Sequence, residues 1–260
     1  MFSPPITLEA AGRSARGCTR EINQDSFMVR SDLRIYIVAD GMGGHADGEV
    51  ASALAVEAIP RFFEQRGATA RSDAQAHPVD PMEILVGSVR YAHARLRAQP
   101  EPPLGARRVG TTIAVARADP ASLYVAHVGD SRVYRMRGPR LDLLTRDHTR
   151  MNEYLSMGAS PEAAARMRDA ASLSRALGTQ ERIDVDARRE DAQFGDLVLL
   201  CTDGLTNAVP EEQIARVLVG RSDLDATADA LMGIASARGA TDDVTCVLVR
   251  WRASSEEQGP

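Results

Sequence analysis

The sequence predicts an α+β sandwich, and two observations predict it. Short β-branched runs and long amphipathic runs come in blocks: strands, two helices, strands, two helices, then a strand. They do not alternate strictly, which disfavours a doubly wound sheet. No internal repeat and no linker rich in Gly, Pro or Ser divides the chain. Residues 1–252 therefore read as a single domain, followed by a polar, disordered tail over 253–260.

Each block has its own signal. Residues 33–38, Leu33-Arg34-Ile35-Tyr36-Ile37-Val38, form an apolar, β-branched run that stops at the turn signal Asp40-Gly41. From 47 to 65, Val50, Leu54, Ala58 and Phe62 recur at helical spacing. Met82, Leu85, Val86, Val89, His93 and Leu96 do the same, and predict a second long helix. The polar stretch 66–80 between them, with prolines, reads as a loop. Residues 111–116, 122–128 and 132–137 predict a meander of adjacent antiparallel strands, separated by Asp119-Pro120 and Gly129-Asp130. Residues 149–177 are rich in Ala, Arg and Met, and Ser160-Pro161-Glu162 is a helix start, so a small helical surface insertion is expected there. A strand over 196–201 again ends in Asp-Gly after Thr202. Helical patterns at 211–219 and 224–238 precede a last strand at 244–249.

Composition excludes several functions. All 31 basic residues are arginine, so a phosphate-binding loop ending in Gly-Lys is impossible. The net charge of −5 mildly repels phosphate backbones, and no nucleic-acid partner is expected. No apolar stretch approaches the roughly 18–20 residues of a membrane span, and the N-terminus lacks a secretory signal, so a cytoplasmic protein is expected. The three cysteines, Cys18, Cys201 and Cys246, form no CxxC pair. Cys201 and Cys246 lie in apolar runs and read as buried, inert thiols. Likewise His93, on an apolar helix face, reads as a core residue.

The chemistry resides in carboxylates. Five acidic motifs stand out: Asn23-Gln24-Asp25, Asp40-Gly41-Met42-Gly43-Gly44-His45, Gly129-Asp130-Ser131-Arg132, Thr202-Asp203-Gly204 and Asp242-Asp243-Val244-Thr245. Each alone has an ordinary explanation, because Asp-Gly is a common turn and Asp25 suits a cap. Together they place aspartates at the ends of several strands, where neighbouring positions can converge. Converging carboxylates repel one another, and a divalent cation relieves that repulsion. Hard cations such as Mg²⁺ and Mn²⁺ suit such oxygen ligands, and two ions about 3.5–4 Å apart can activate one water toward phosphorus.

In this order, the motifs resemble the metal-dependent protein phosphatase family, type 2C, and its bacterial members in particular. The resemblance is carried by Arg20 to Phe27, Val38 to His45, the helix start at Gly48 to Ser52, Gly110-Thr111-Thr112, Val128 to Arg132, Asp147-His148, Leu177-Gly178, Thr202 to Leu205 and Asp242 to Thr245. It spans roughly 12–250. It implies two stacked antiparallel sheets flanked by pairs of helices, an α-β-β-α sandwich, with 149–177 as a flap beside the site.

The resemblance also implies roles. Asp40 would bridge two metal ions, with the Gly41 carbonyl as a further ligand. Asp203 and Asp242 would complete one shell, and Asp25 would hold metal-bound water. Asp130, with Asp203, would form a weaker third site. Arg20 would grip the substrate phosphate, a task that suits a planar fork. The implied reaction is hydrolysis of phosphoserine and phosphothreonine in proteins by a metal-bridged hydroxide, without a phosphoenzyme, with two or three Mn²⁺ or Mg²⁺ ions. A cognate bacterial serine/threonine kinase and its targets are the expected partners, and a monomer is the expected state.

Three departures matter. Met42 stands where many eukaryotic members have histidine, which leaves His45 as the candidate proton donor. Gln24 replaces a glutamate of some relatives. Asp243 replaces an asparagine, as either a further metal-binding acid or a support behind the ligands.

Rival readings are weaker. Cys246 and Arg252 have the spacing of a cysteine-dependent tyrosine phosphatase, yet the residues between them read as a strand rather than a phosphate loop. Asp184-Val185-Asp186 mimics a dehalogenase-type motif but follows a polar segment. The five histidines contain no His-x-x-x-His pair for zinc. The alternative from another class is a catalytically silent pseudophosphatase that binds phosphoproteins.

Overall fold

The computed structural model describes residues 6–42, 47–72, 79–100, 108–220 and 222–253. Its strands are β1 (Ile6–Ala15), β2 (Asp25–Arg30), β3 (Ile35–Met42), β4 (Gly110–Thr111), β5 (Ile113–Asp119), β6 (Ser122–Val128), β7 (Arg132–Arg137), β8 (Arg140–Leu143), β9 (Asp186–Asp191), β10 (Leu197–Cys201) and β11 (Val244–Ala253). Its helices are α1 (Asp47–Ser72), α2 (Pro81–Arg97), α3 (Arg150–Ser156), α4 (Pro161–Ala165), α5 (Asp203–Ala208), α6 (Glu211–Leu218) and α7 (Leu224–Ala237).

Two antiparallel sheets stack. One has the order β1-β11-β10-β7-β8, the other β2-β3-β5-β6-β9, with β4 added alongside β3. Alternation along each strand builds three apolar layers. On β3, Ile35, Ile37 and Ala39 face α1 and α2, where they meet Ala55, Ile59, Leu85 and Val89. Tyr36 and Val38 point the other way, into the interface between the sheets, against Val133, Val198, Leu200, Val247 and Trp251. On the far side, Leu199, Cys201, Cys246 and Leu248 meet Ile214, Leu224 and Leu231 of α6 and α7. The indole N–H of Trp251 donates to the Asp119 carbonyl at 2.9 Å and ties one sheet to the other. The expected α-β-β-α sandwich is thus the observed one. Among the described residues no helix is long and apolar enough to cross a membrane.

Several local expectations change. β3 does not stop at Asp40-Gly41; it runs on to Met42, because β4 supplies partners for Gly41 and Met42. The three-strand meander is not formed. β5 and β6 pair, but β7 pairs with β10 and β8 in the other sheet. Gly129, at φ +103°, turns the chain across; a Cβ there would also lie 2.6 Å from Thr112 Cγ2. α1 continues to Ser72, into the stretch expected as loop, and its buried stripe is Ala51, Ala55 and Ile59, while Val50 is exposed. The sequence reading leaves out β1, β2, β8, β9 and the short α5. β9, Asp-Ala-Arg-Arg-Glu-Asp, is an exposed polar edge strand with no apolar alternation to betray it. Residues 254–260 of the expected tail lie outside the described residues, and Ala253 belongs to β11.

Candidate metal centre

The registers bring the aspartates of the five acidic motifs to one end of the sandwich. Asp25 opens β2 directly opposite Asp40, near the end of β3. β10 ends at Cys201, opposite Cys246 of β11 and Arg132 of β7. Asp203 just beyond Cys201, Asp242 just before β11 and Asp130 just before β7 therefore emerge at the same edge. Backbone bonds fix the frame. The Asp40 N–H donates to Thr112 Oγ1 at 2.9 Å, and the Asp40 carbonyl accepts from Thr111 Oγ1 and the Thr112 N–H, both at 2.8 Å. The Gly41 N–H donates to the Gln24 carbonyl at 3.1 Å.

Burial makes these carboxylates reluctant to ionise. Desolvation pushes Asp25 up to about 7, and Asp243 and Asp203 add to the rise against hydrogen bonds from Thr245 and Thr202. Asp40 is raised well above the ordinary carboxylate range, first by desolvation and then by the charges of Asp25, Asp203, Asp242 and Asp130. Asp130 is also lifted to about 7, by desolvation and then by Asp203 and Asp147. Asp203 is raised by desolvation and by Asp242, with contacts to Asp40 and Asn207 partly offsetting the rise.

Two buried oxygens, Asp25 Oδ1 and Asp203 Oδ1, have no hydrogen-bond partner. Their sister oxygens accept from Thr202 Oγ1 at 2.7 Å and Asn207 Nδ2 at 3.1 Å. Clustered, charge-frustrated carboxylates with orphaned oxygens have the donor set that hard divalent cations take, so the residues fit such ions.

The remaining candidates separate. Arg20 forks onto Asp242, with Nε to Oδ1 at 2.8 Å and Nη2 to Oδ2 at 2.6 Å, on a half-exposed rim. Asp243 is buried and faces inward: Oδ1 accepts the Gly17 N–H at 2.9 Å and Oδ2 the Gln24 N–H at 2.8 Å. It clasps the segment that carries Arg20 and leads into Asp25. His45 lies outside the described residues.

Two grooves flank the centre. One, of about 740 Å³, is lined by Asp130 and Asp203 and by Arg132, Asp147, Thr149 and Asn152. The other, of about 780 Å³, runs from Met42 past Arg108, Arg150 and Arg175. α3, capped by Thr149, lines both grooves, and α4, capped by Ser160, lines the first. The segment is pinned at its base by a bridge between Thr149 and Leu173 and another between Thr111 and Leu177.

The family profile described as protein phosphatase 2C matches residues 12–249. The chain belongs to that family. It is a protein phosphatase, and its fold is the one that the ordered motifs imply. This type 2C phosphatase is 32% identical over 246 residues to the serine/threonine phosphatase stp of Listeria monocytogenes, covering 93% of this chain and 95% of that protein. The crystal structure of the Mycobacterium tuberculosis serine/threonine phosphatase PstP/Ppp superposes with a TM-score of 0.80 at 31% identity, over 94% of this chain and 99% of that one. The PstP catalytic domain in complex with two manganese ions gives 0.79 at 31% identity, over 95% of this chain and 99% of that one.

The rival motifs have other occupations. Cys246 is buried in β11 with its thiol pushed up to about 12 by desolvation, so it is no nucleophile. Asp186 opens β9 and accepts from Arg175 at 2.7 Å. His93 is buried, and its Nδ1 accepts the Gly178 N–H at 3.2 Å. The group that sequence spacing misses is His127, His148 and Asp186, whose donor atoms lie within 4.8 Å of one another. His127 lies in β6, Asp186 opens β9 and His148 precedes α3, and no sequence spacing groups the three.

Proposed function

We propose that this phosphatase hydrolyses phosphoserine and phosphothreonine in proteins, using two or three divalent ions, Mn²⁺ or Mg²⁺. The observation that carries this is the convergence of Asp25, Asp40, Asp130, Asp203 and Asp242, with two orphaned buried oxygens among them. In this reading Asp40, the Gly41 carbonyl, Asp203 and Asp242 hold the principal ions. Asp25 orders their water, and Asp130 with Asp203 holds the third ion. Bound there, the ions supply Lewis-acid activation of water and neutralise charge on the phosphoryl oxygens.

The protein's own groups do the rest. Asp25, fixed by Thr202, accepts a hydrogen bond from the attacking water. Arg20 presents its fork to the phosphate, and Asp242 holds that guanidinium at the rim. The bond from phosphorus to the seryl or threonyl oxygen breaks, giving the alcohol and inorganic phosphate. Met42 has no proton to donate, so His45 is assigned the proton that the leaving oxygen takes up. Asp243 is assigned to the backbone clasp rather than to the ligand set, because both of its oxygens serve amides. The grooves that α3 and α4, the flap of this reading, help to line suit a polypeptide carrying the phosphate. The silent pseudophosphatase reading has no support in a site that keeps every one of these aspartates.

The test is hydrolysis of p-nitrophenyl phosphate and a phosphothreonine peptide in EDTA, Mg²⁺ or Mn²⁺, by wild type and Asp203→Asn. Metal-dependent turnover that collapses in the variant supports the reading. No turnover by folded wild type with any divalent ion overturns it. We extend the reading to a cytoplasmic monomer that opposes a cognate serine/threonine kinase. A kinase and targets that kept their phosphate beside active enzyme would sink that extension.

A further inference from the structure

His148 is a junction of three segments. Its backbone N–H donates to the Gly129 carbonyl at 3.0 Å, and its Nδ1 accepts the Gly129 N–H at 3.1 Å. One residue thus takes both backbone polar groups of Gly129, the neighbour of Asp130. The His148 carbonyl accepts the Ser174 N–H at 2.9 Å, on the returning limb of the flap. Thr149, the cap of α3, follows immediately. The ring is 2% exposed, stacks on His127 with 4.6 Å between centres, and leaves Nε2 3.3 Å from Asp186 Oδ2 without a hydrogen bond.

These contacts fix the tautomer. An Nδ1 that accepts an N–H carries a lone pair, so the ring proton sits on Nε2. Burial, then His127 and Arg175, pushes the ring down to about 4, so it stays neutral across the physiological range. The same tautomer argues against a cation on His127, His148 and Asp186. A metal on Nε2 would force the proton onto Nδ1, where it would meet the Gly129 N–H head-on.

We propose that His148 is a positioning residue that couples the flap to the third metal site by holding the Gly129-Asp130 turn from both sides. The coupling rests on the reading of Asp130 as a metal ligand. Gly129 sits at φ +103° against Thr112, and its two hydrogen bonds to His148 set how the next residue is presented. Loosening the flap base shifts His148 and with it Asp130. By linkage, an ion on Asp130 steadies the flap in return.

His148→Asn keeps an acceptor where Nδ1 stands, whereas His148→Leu keeps bulk without it. The measurements are amide hydrogen exchange over 127–133 and 149–177, Mn²⁺ binding by calorimetry, and phosphopeptide turnover. In the Leu variant, exchange accelerates in both segments together and the weakest Mn²⁺ step loses about tenfold in affinity, as for other lost supports of metal ligands. The Asn variant recovers most of both. Unchanged Mn²⁺ binding in the Leu variant overturns the proposal. So does a loosened flap with 127–133 still protected, or identical behaviour of Asn and Leu. If the Leu variant fails to fold, His148→Gln, which places a donor near Nε2 and no acceptor near Nδ1, takes its place with the same expectations. Failure of wild type to hydrolyse phosphopeptides would overturn the phosphatase reading separately, since exchange and Mn²⁺ binding are read without turnover.

Discussion

Asp25 and Asp40 occupy one rung of a β-ladder, directly opposite each other on β2 and β3. Like charges so placed destabilise a sheet, and here both carboxyls are also starved of water. The strand pairing thus builds in a repulsion that only protons or cations can relieve. Four of the expectations below follow from that arrangement and from the groups around it.

Neutral isosteres should separate function from stability. Asp40→Asn and Asp203→Asn are expected to lower phosphothreonine-peptide turnover at least about 100-fold. In EDTA the same variants should melt higher than wild type at pH 8, because a buried unpaired charge is removed. Calorimetric melts with and without Mn²⁺ check this; lower melting in EDTA would contradict it.

The pH dependence has a definite sign. Asp130 has a folded pKa of about 7, above its ordinary 3.8. Its contribution to stability is fully present below pH 3.8 and lost as pH rises through 7. In EDTA, Asp130→Asn should therefore gain stability over wild type at pH 8, on the order of 2–4 kcal/mol. The gain should shrink as pH falls toward 4 and vanish below it. Urea melts from pH 3.5 to 8 read the difference, and a gain that grew toward acid would refute the assignment.

Arg20 and a cation compete for the carboxylate of Asp242. Arg20→Ala should therefore tighten Mn²⁺ binding while cutting kcat/KM about 10–100-fold through lost phosphate contact. Arg20→Lys should rescue little, because an ammonium lacks the fork. Calorimetry and steady-state kinetics on the same samples test the opposite signs, and full activity in the Lys variant would count against a bidentate role.

Asp243 should matter to the fold. Asp243→Ala leaves the Gly17 and Gln24 N–H groups buried without acceptors, a loss of about 2–4 kcal/mol. Asp243→Asn keeps one acceptor and should lose about half as much, with Mn²⁺ affinity close to wild type. A tenfold drop in Mn²⁺ affinity with unchanged stability would instead return Asp243 to the ligand set.

The stacking of helices on sheets was legible because Leu85, Val89 and Leu96 repeat at helical spacing, because β10 is a continuous apolar run and because β5 and β6 are largely apolar. β9 was not legible. Its residues bury little, and its strand conformation comes from pairing with β6. The path from β6 to β7 was misread because a glycine-aspartate turn looks the same whether it closes a hairpin or crosses between sheets. Of the candidate site, Asp25, Asp40, Asp130, Asp203 and Asp242 were all nameable from short motifs. The partners of Asp243 and the junction at His148 were not, since they join residues 219 to 226 and 19 positions apart.

The sequence by itself determined which carboxylates, which arginine and which layers this protein has, because side-chain chemistry and apolar periodicity are local properties. Only the tertiary structure decided what each aspartate faces. Asp203 ends with an orphaned oxygen, Asp242 with an arginine fork and Asp243 with two backbone amides. Strand register sets those partners, and register is a long-range outcome of packing two sheets against each other.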